Sequence, residues 1–118
     1  MKLLVFFLLA ASVAVCTADP VVDRTLDAPA GDITGLGLGG GYLRALDRTS
    51  ETVYRMDPVT GAVSLSWAVT QTGTRIPTGL TFLNDCVFVA AGTATGTAAC
   101  AYRYSSSGSY VSCFSQDC

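Results

Sequence analysis

Tyr54-Arg55-Met56-Asp57-Pro58-Val59-Thr60-Gly61-Ala62-Val63 decides how this chain folds. Asp57 stands where its carboxylate accepts backbone N–H bonds, Pro58 fixes φ, and Gly61 supplies the positive φ that sends the chain back. The stretch reads as strand, tight turn, strand. Period-two apolar patterns separated by Gly-rich or polar turns continue on both sides, the signature of antiparallel β structure. The predicted strands are 33–38, 42–47, 52–56 and 62–69, then 76–82, 86–91, 98–104 and 109–114.

These eight strands form two units that align residue by residue. Gly35-Leu36 matches Gly79-Leu80, Leu38 matches Phe82, and Leu43 and Ala45 match Val87 and Val89. Tyr54-Arg55-Met56 matches Tyr102-Arg103-Tyr104, Gly61 matches Gly108, and Trp67 matches Phe114. A four-stranded unit recurring at about 45 residues has the period of a propeller blade. The expected fold is all-β: two four-stranded antiparallel propeller-blade-like sheets completed by oligomerisation, with a small β-sandwich as the alternative. The expected organisation is a signal peptide over 1–18, an N-terminal arm over 19–32, a first repeat over 33–69, a linker over 70–75, and a second repeat with a C-terminal tail over 76–118.

The stretch from Tyr54 to Val63 resembles the strand–turn–strand of quinoprotein-type and NHL-like propeller repeats, where Tyr-x-x-Asp-x-x-Thr-Gly joins the third and fourth strands. Trp67 closing the fourth strand resembles the quinoprotein pattern, and Ile33-Thr34-Gly35-Leu36 and Pro77-Thr78-Gly79-Leu80 resemble the opening strand of NHL-like blades. The likeness covers roughly 33–114. The second unit departs from it, with Ser105-Ser106-Ser107-Gly108 in place of the Asp-Pro turn and Phe114 in place of Trp67. Two blades cannot supply the central channel of a full propeller, so the resemblance implies a superfold and no activity.

The N-terminus bounds the compartment. Lys2 precedes an apolar run from Leu3 to Ala11, and Cys16-Thr17-Ala18 offers small side chains at a cleavage site before Asp19. That order is a secretory signal; the run is short for a membrane span, which needs about 20 apolar residues. The expected location is secreted, extracellular, with no membrane span after cleavage. The mature chain then has no lysine, and six arginines face nine acids. This argues against nucleic acid, whose phosphates demand clustered cations. Histidine is absent, which excludes Ser-His-Asp and Cys-His catalysis and removes the usual nitrogen ligand of zinc. No cofactor is implied.

Four cysteines remain after cleavage: Cys86, Cys100, Cys113 and Cys118. An even number in an exported chain implies disulfides. With 105–108 as a four-residue turn, Cys100 falls opposite Cys113, which predicts that bridge. Cys86 and Cys118 pair by elimination, within a chain or between chains.

Two sister strings mark the candidate ligand site: Thr70-Gln71-Thr72-Gly73-Thr74 between the units, and Thr93-Ala94-Thr95-Gly96-Thr97 in the second. In a propeller these loops emerge on one face with the turn that follows Asp47. Thr70, Thr72, Thr74, Thr93, Thr95, Thr97 and Asp47 would offer neutral hydrogen bonds to a glycan, and Trp67 would stack on a sugar ring. The remaining acids do not pair as a glycosidase requires; Asp57 is explained by its turn. The expected function is therefore a secreted non-enzymatic binding module, carbohydrate-binding, acting as a homo-oligomer. The alternatives are an extracellular structural or filament subunit, or the remnant of a larger propeller hydrolase or lyase.

Overall fold

A computed structural model describes residues 21–96 and 98–114. The expected signal peptide, Thr97 and Cys118 lie outside the described residues. The described chain is all-β. β1 (Ile33–Gly39), β2 (Tyr42–Asp47), β3 (Thr52–Met56) and β4 (Val63–Ala68) form one sheet; a short 3-10 turn, Thr70–Thr72, leads to β5 (Ile76–Leu83), β6 (Cys86–Gly92), β7 (Ala99–Ser105) and β8 (Tyr110–Phe114) in the second. Each sheet is an antiparallel meander with its strands in chain order.

The repeat read from side chains recurs in the backbone. β1 and β2 meet at a two-residue turn with Gly39 opposite Tyr42, and β5 and β6 do the same with Leu83 opposite Cys86. The turn residues Gly40 and Gly41, and their counterparts Asn84 and Asp85, all have positive φ, as the twist of a tight hairpin requires. β1 carries a bulge between Ile33 and Gly35, and β5 carries one between Pro77 and Gly79. The ladder slips again at Arg55/Met56 and at Arg103/Tyr104. An extra residue at the same aligned positions bends and twists both sheets alike.

The third turns also correspond. The Asp57 carboxylate accepts from Val59 N at 2.7 Å and Thr60 N at 2.9 Å, and the Asp57 carbonyl accepts from Gly61 N at 2.9 Å. In the second sheet the Ser105 hydroxyl accepts from Ser109 N at 3.0 Å while the Ser105 carbonyl accepts from Gly108 N at 3.0 Å. The hydrogen bonds from Thr60 N and Val59 N hold the Asp57 carboxyl below the ordinary carboxylate range.

The turn at Ser105–Ser109 and the second bulge together correct the predicted register of β7 and β8. Tyr104 faces Tyr110, and beyond the slip Tyr102 faces Cys113. Cys100 is therefore not opposite Cys113: the turn closes Ser105 on Ser109, one residue off the expected closure, and the extra residue at the slip moves β8 one further along its partner.

The two sheets stack with β5 against β1. β1 alternates Gly35, Leu36, Gly37, Leu38, Gly39, so one face of it has no side chains. Leu80 and Phe82 of β5 lie on that bare face: a Cβ built on Gly35 would stand 2.7 Å from the Leu80 backbone nitrogen, and one on Gly37 would stand 2.6 Å from a Leu80 methyl. Between the sheets Leu46, Val53 and Val69 pack with Val87, Val89, Tyr102 and Tyr104. Each fully buried aliphatic side chain contributes about 1.5–3 kcal/mol, so this single layer is the main source of stability.

Candidate functional site

Of the threonines in the two loops, Thr72 is turned inward. Val69 N donates to Glu51 O at 2.8 Å, which brings the start of the linker beside the β2–β3 turn. Thr70 and Thr74 are exposed there, but Thr72 is buried and its hydroxyl donates to Val69 O at 3.1 Å, closing the 3-10 turn. The hydroxyls of Thr93 and Thr95 lie 3.2 Å apart and hydrogen-bond each other.

Asp47 is buried, and its carboxylate serves the backbone. It accepts from Asp32 N at 2.9 Å and from Ser50 N at 2.7 Å. The hydrogen bonds from Ser50 hold its carboxyl below the ordinary range. Around it Arg48 Nε pairs with the Asp32 carboxylate at 3.0 Å and the Thr49 hydroxyl donates to it at 2.9 Å. Asp47 and Asp32 thus tie the arm to the β2–β3 turn.

Trp67 is half-buried at the junction of the sheets. It packs on the core layer, 6.4 Å from Tyr104 between ring centroids, and a Cβ at Gly108 would lie 2.5 Å from its ring. Gly108 therefore has two reasons to be glycine, its φ of +95° and the indole above it. Tyr104 is fully inside; burial pushes its phenol pKa up, and its hydroxyl donates to Gln71 Oε1 at 2.9 Å. This bond fastens the linker to the second sheet.

The predicted Cys100–Cys113 bridge is not present, and Cys118, the predicted partner of Cys86, lies outside the described residues. Cys86 and Cys113 are free thiols, and Cys100 is disulfide-bonded to neither of them. Cys113 stands opposite Tyr102 in the β7–β8 ladder, and the Cys86 sulfur accepts from Arg103 Nε at 3.3 Å.

One buried group escaped the sequence reading. Arg44 is only 1% exposed. It points between the sheets, where Nη1 donates to Gly39 O at 2.9 Å and the guanidinium lies 4.2 Å from the centre of the Phe82 ring. Burial lowers its pKa, with the neighbouring Arg55 adding to the effect. The ring face offsets part of the lost hydration. Its alternation with Leu43 and Ala45 puts it on the face opposite theirs, and the approach of Phe82 from β5 makes that face interior.

Concavity and exposed apolar surface lie on the two outward sheet faces. On the first sheet Leu36 is 62% exposed and Leu38 70% exposed. Beside them the arm residues Leu26, Ala28 and Pro29 meet Leu43, Ala45 and Met56 around a cavity of about 310 Å³. On the second sheet Gly79, Thr81, Phe88, Ala90 and Ala101 line a shallow depression of about 280 Å³. Phe88 packs on Phe114, their centroids 5.9 Å apart, and Phe114 is half-exposed. No cluster of three or more metal-ligating side chains occurs among the described residues, and no helix there is long and apolar enough to cross a membrane.

Comparison with protein-family models and with curated proteins finds no match to this chain.

Proposed function

We propose that this chain is a secreted, non-enzymatic binding module that works as an oligomer, through the faces of its sheets. The observation that carries this reading is the pair of apolar outward faces. A two-sided sheet in water must cover both sides, and each sheet here covers only one fully. Isolated apolar residues on a surface are ordinary, but contiguous patches on opposite sides of a stack mark interaction surfaces.

The geometry favours a protein surface over a sugar as the occupant. Asp47 and Thr72 are engaged internally and Trp67 is packed on Gly108, so the groups expected to grip and stack on a glycan are turned to structural roles. The outward faces have a different character, with leucine, alanine and phenylalanine around the single hydroxyl of Thr81 in their linings. The resemblance to quinoprotein-type and NHL-like blades supports the same reading, because such blades gain stability by stacking face to face.

Sedimentation of the mature protein over a wide concentration range tests this. A mass of two to four chains that falls on dilution is expected, because propellers close with about four to eight blades and each chain supplies two. A single-chain mass up to high micromolar concentration would overturn it.

A further inference from the structure

Aligning the two sheets shows that the uncovered faces are the two halves of the interface already present inside the chain. Within the chain, the Leu80–Phe82 face of the second sheet lies on the Gly35–Gly37 face of the first. The counterparts of Leu80 and Phe82 are Leu36 and Leu38, and these are the exposed residues of the first sheet. The counterpart of Gly35 is Gly79, and it floors the depression on the second sheet. The donor face of one sheet and the receptor face of the other are thus left open on opposite sides of the same molecule.

We propose that a second copy of this chain docks its Leu36–Leu38 face on the Gly79–Ala90 face of the first, repeating head to tail the contact that joins the two sheets within a chain. The proposal rests on the oligomeric reading above and supplies its partner and geometry. Matched bulges in β1 and β5 give the two sheets the same bend, so the shape that fits within the chain recurs between chains.

The pocket chemistry is consistent with a looser copy of the same joint. Gly79 keeps the bare position that admits a leucine, and its would-be Cβ meets only Ala90, at 3.7 Å. Thr81 replaces Gly37 and narrows the receptor, while Leu38 replaces Phe82 and shortens the donor. A smaller knob meets a shallower hole. Phe88 and Ala90 stand where Arg44 and Leu46 stand, so the outer joint has no counterpart of Arg44; its arginine is Arg103, which stands opposite Phe88 and donates from Nε to Cys86 Sγ. The arm lies across part of the donor face through Leu26 and Pro29 and leaves Leu38 open; full seating of a partner lifts those arm contacts.

Because donor and receptor are different surfaces, the contact is heterologous and closes only as a ring or continues as a filament. Two variants separate the halves. Leu38→Arg blocks the donor and keeps the receptor; Ala90→Arg blocks the receptor and keeps the donor. Each is expected to weaken self-association more than about 100-fold by burying an unpaired charge, with an unchanged far-ultraviolet spectrum. Thr81→Glu on the same face replaces Ala90→Arg should that variant fail to fold. Mixed in equal amounts, the two blocked variants retain one complementary pair of faces and are expected to form a one-to-one dimer that grows no further. If either variant assembles like the wild type, or if the mixture stays monomeric while the wild type oligomerises, the head-to-tail contact is wrong and the oligomeric reading survives. A monomeric wild type overturns both.

Discussion

Leu80 and Leu36 occupy the same place in their sheets, two residues into matched bulges, yet one is a knob in the core and the other faces solvent. Phe82 and Leu38 differ in the same way. The local sequence around each pair is nearly the same, Thr-Gly-Leu in both strands. What separates them is the neighbour: β5 has the bare glycine face of β1 to lie on, and β1 has only a short arm. Burial here belongs to the stacking of sheets and not to the strand itself.

The largest way to break that comparison is to cut both knobs to the same size. Phe82→Ala removes the ring that packs on the Gly39 backbone and covers Arg44, and a loss of about 3–5 kcal/mol is expected. Leu38→Ala removes an exposed side chain and is expected to stay within about 0.5 kcal/mol. Urea denaturation at a concentration where the protein is monomeric reads both; similar losses would show that the first sheet's outer face is as covered as its inner one.

The receptor glycines come next. Gly35→Ala pushes a methyl toward the Leu80 backbone, which cannot move away as a flexible side chain can, and an overpacking loss of about 1–3 kcal/mol is expected. Gly79→Ala meets ordinary van der Waals space and is expected to leave monomer stability unchanged or slightly improved. If the two glycines respond equally in thermal unfolding, β1 and β5 are not in the contact described.

The paired turns sharpen the comparison further. Asp57 and Ser105 fill the same role with different acid–base behaviour. Because the folded pKa of Asp57 is depressed, its contribution is fully present above its unfolded value of about 3.9 and is lost as pH falls through the folded value. Asp57→Ser is therefore expected to flatten the dependence of stability on pH below about 5, leaving the smaller slope due to Asp47, whose carboxyl is lowered as well. An unchanged slope would mean that the turn hydrogen bonds do not set that pKa.

Cys113 is expected to give the smallest effect. It stands opposite Tyr102 as Ser66 stands opposite Tyr54, so Cys113→Ser is expected to cost less than about 1 kcal/mol. A bridge to Cys100 would instead be worth on the order of 3 kcal/mol. Peptide mapping after alkylation without reductant is expected to label Cys86 and Cys113 and to spare Cys100; a Cys100–Cys113 linked peptide would restore the expected register, with Tyr104 facing Ser109 and no slip.

How far the chain was legible follows from the range of the forces involved. Strand positions, tight hairpins and the Asp57 turn came from local patterns, and the structure agrees within a residue or two at most ends. The β7–β8 register departs from the expected one by two residues, one because the turn closes Ser105 on Ser109 and one because a bulge adds a residue that no Gly or Pro announces. The structural roles of Thr72 and Asp47 are hidden in the sequence for a different reason. Threonine and aspartate look alike in sequence whether their oxygens face water or a backbone N–H; Thr72 and Asp47 face the backbone because the linker and the arm fold back over them.

The sequence by itself determined an all-β chain of two matched four-stranded units, because alternation, turn chemistry and repeat period are properties of neighbouring residues. The tertiary structure alone decided which face of each unit is interior. Side-chain alternation marks two faces of a strand but not which will find a partner, and only the approach of β5 to the glycine face of β1 made Leu80 and Phe82 core while Leu36 and Leu38 stayed outside.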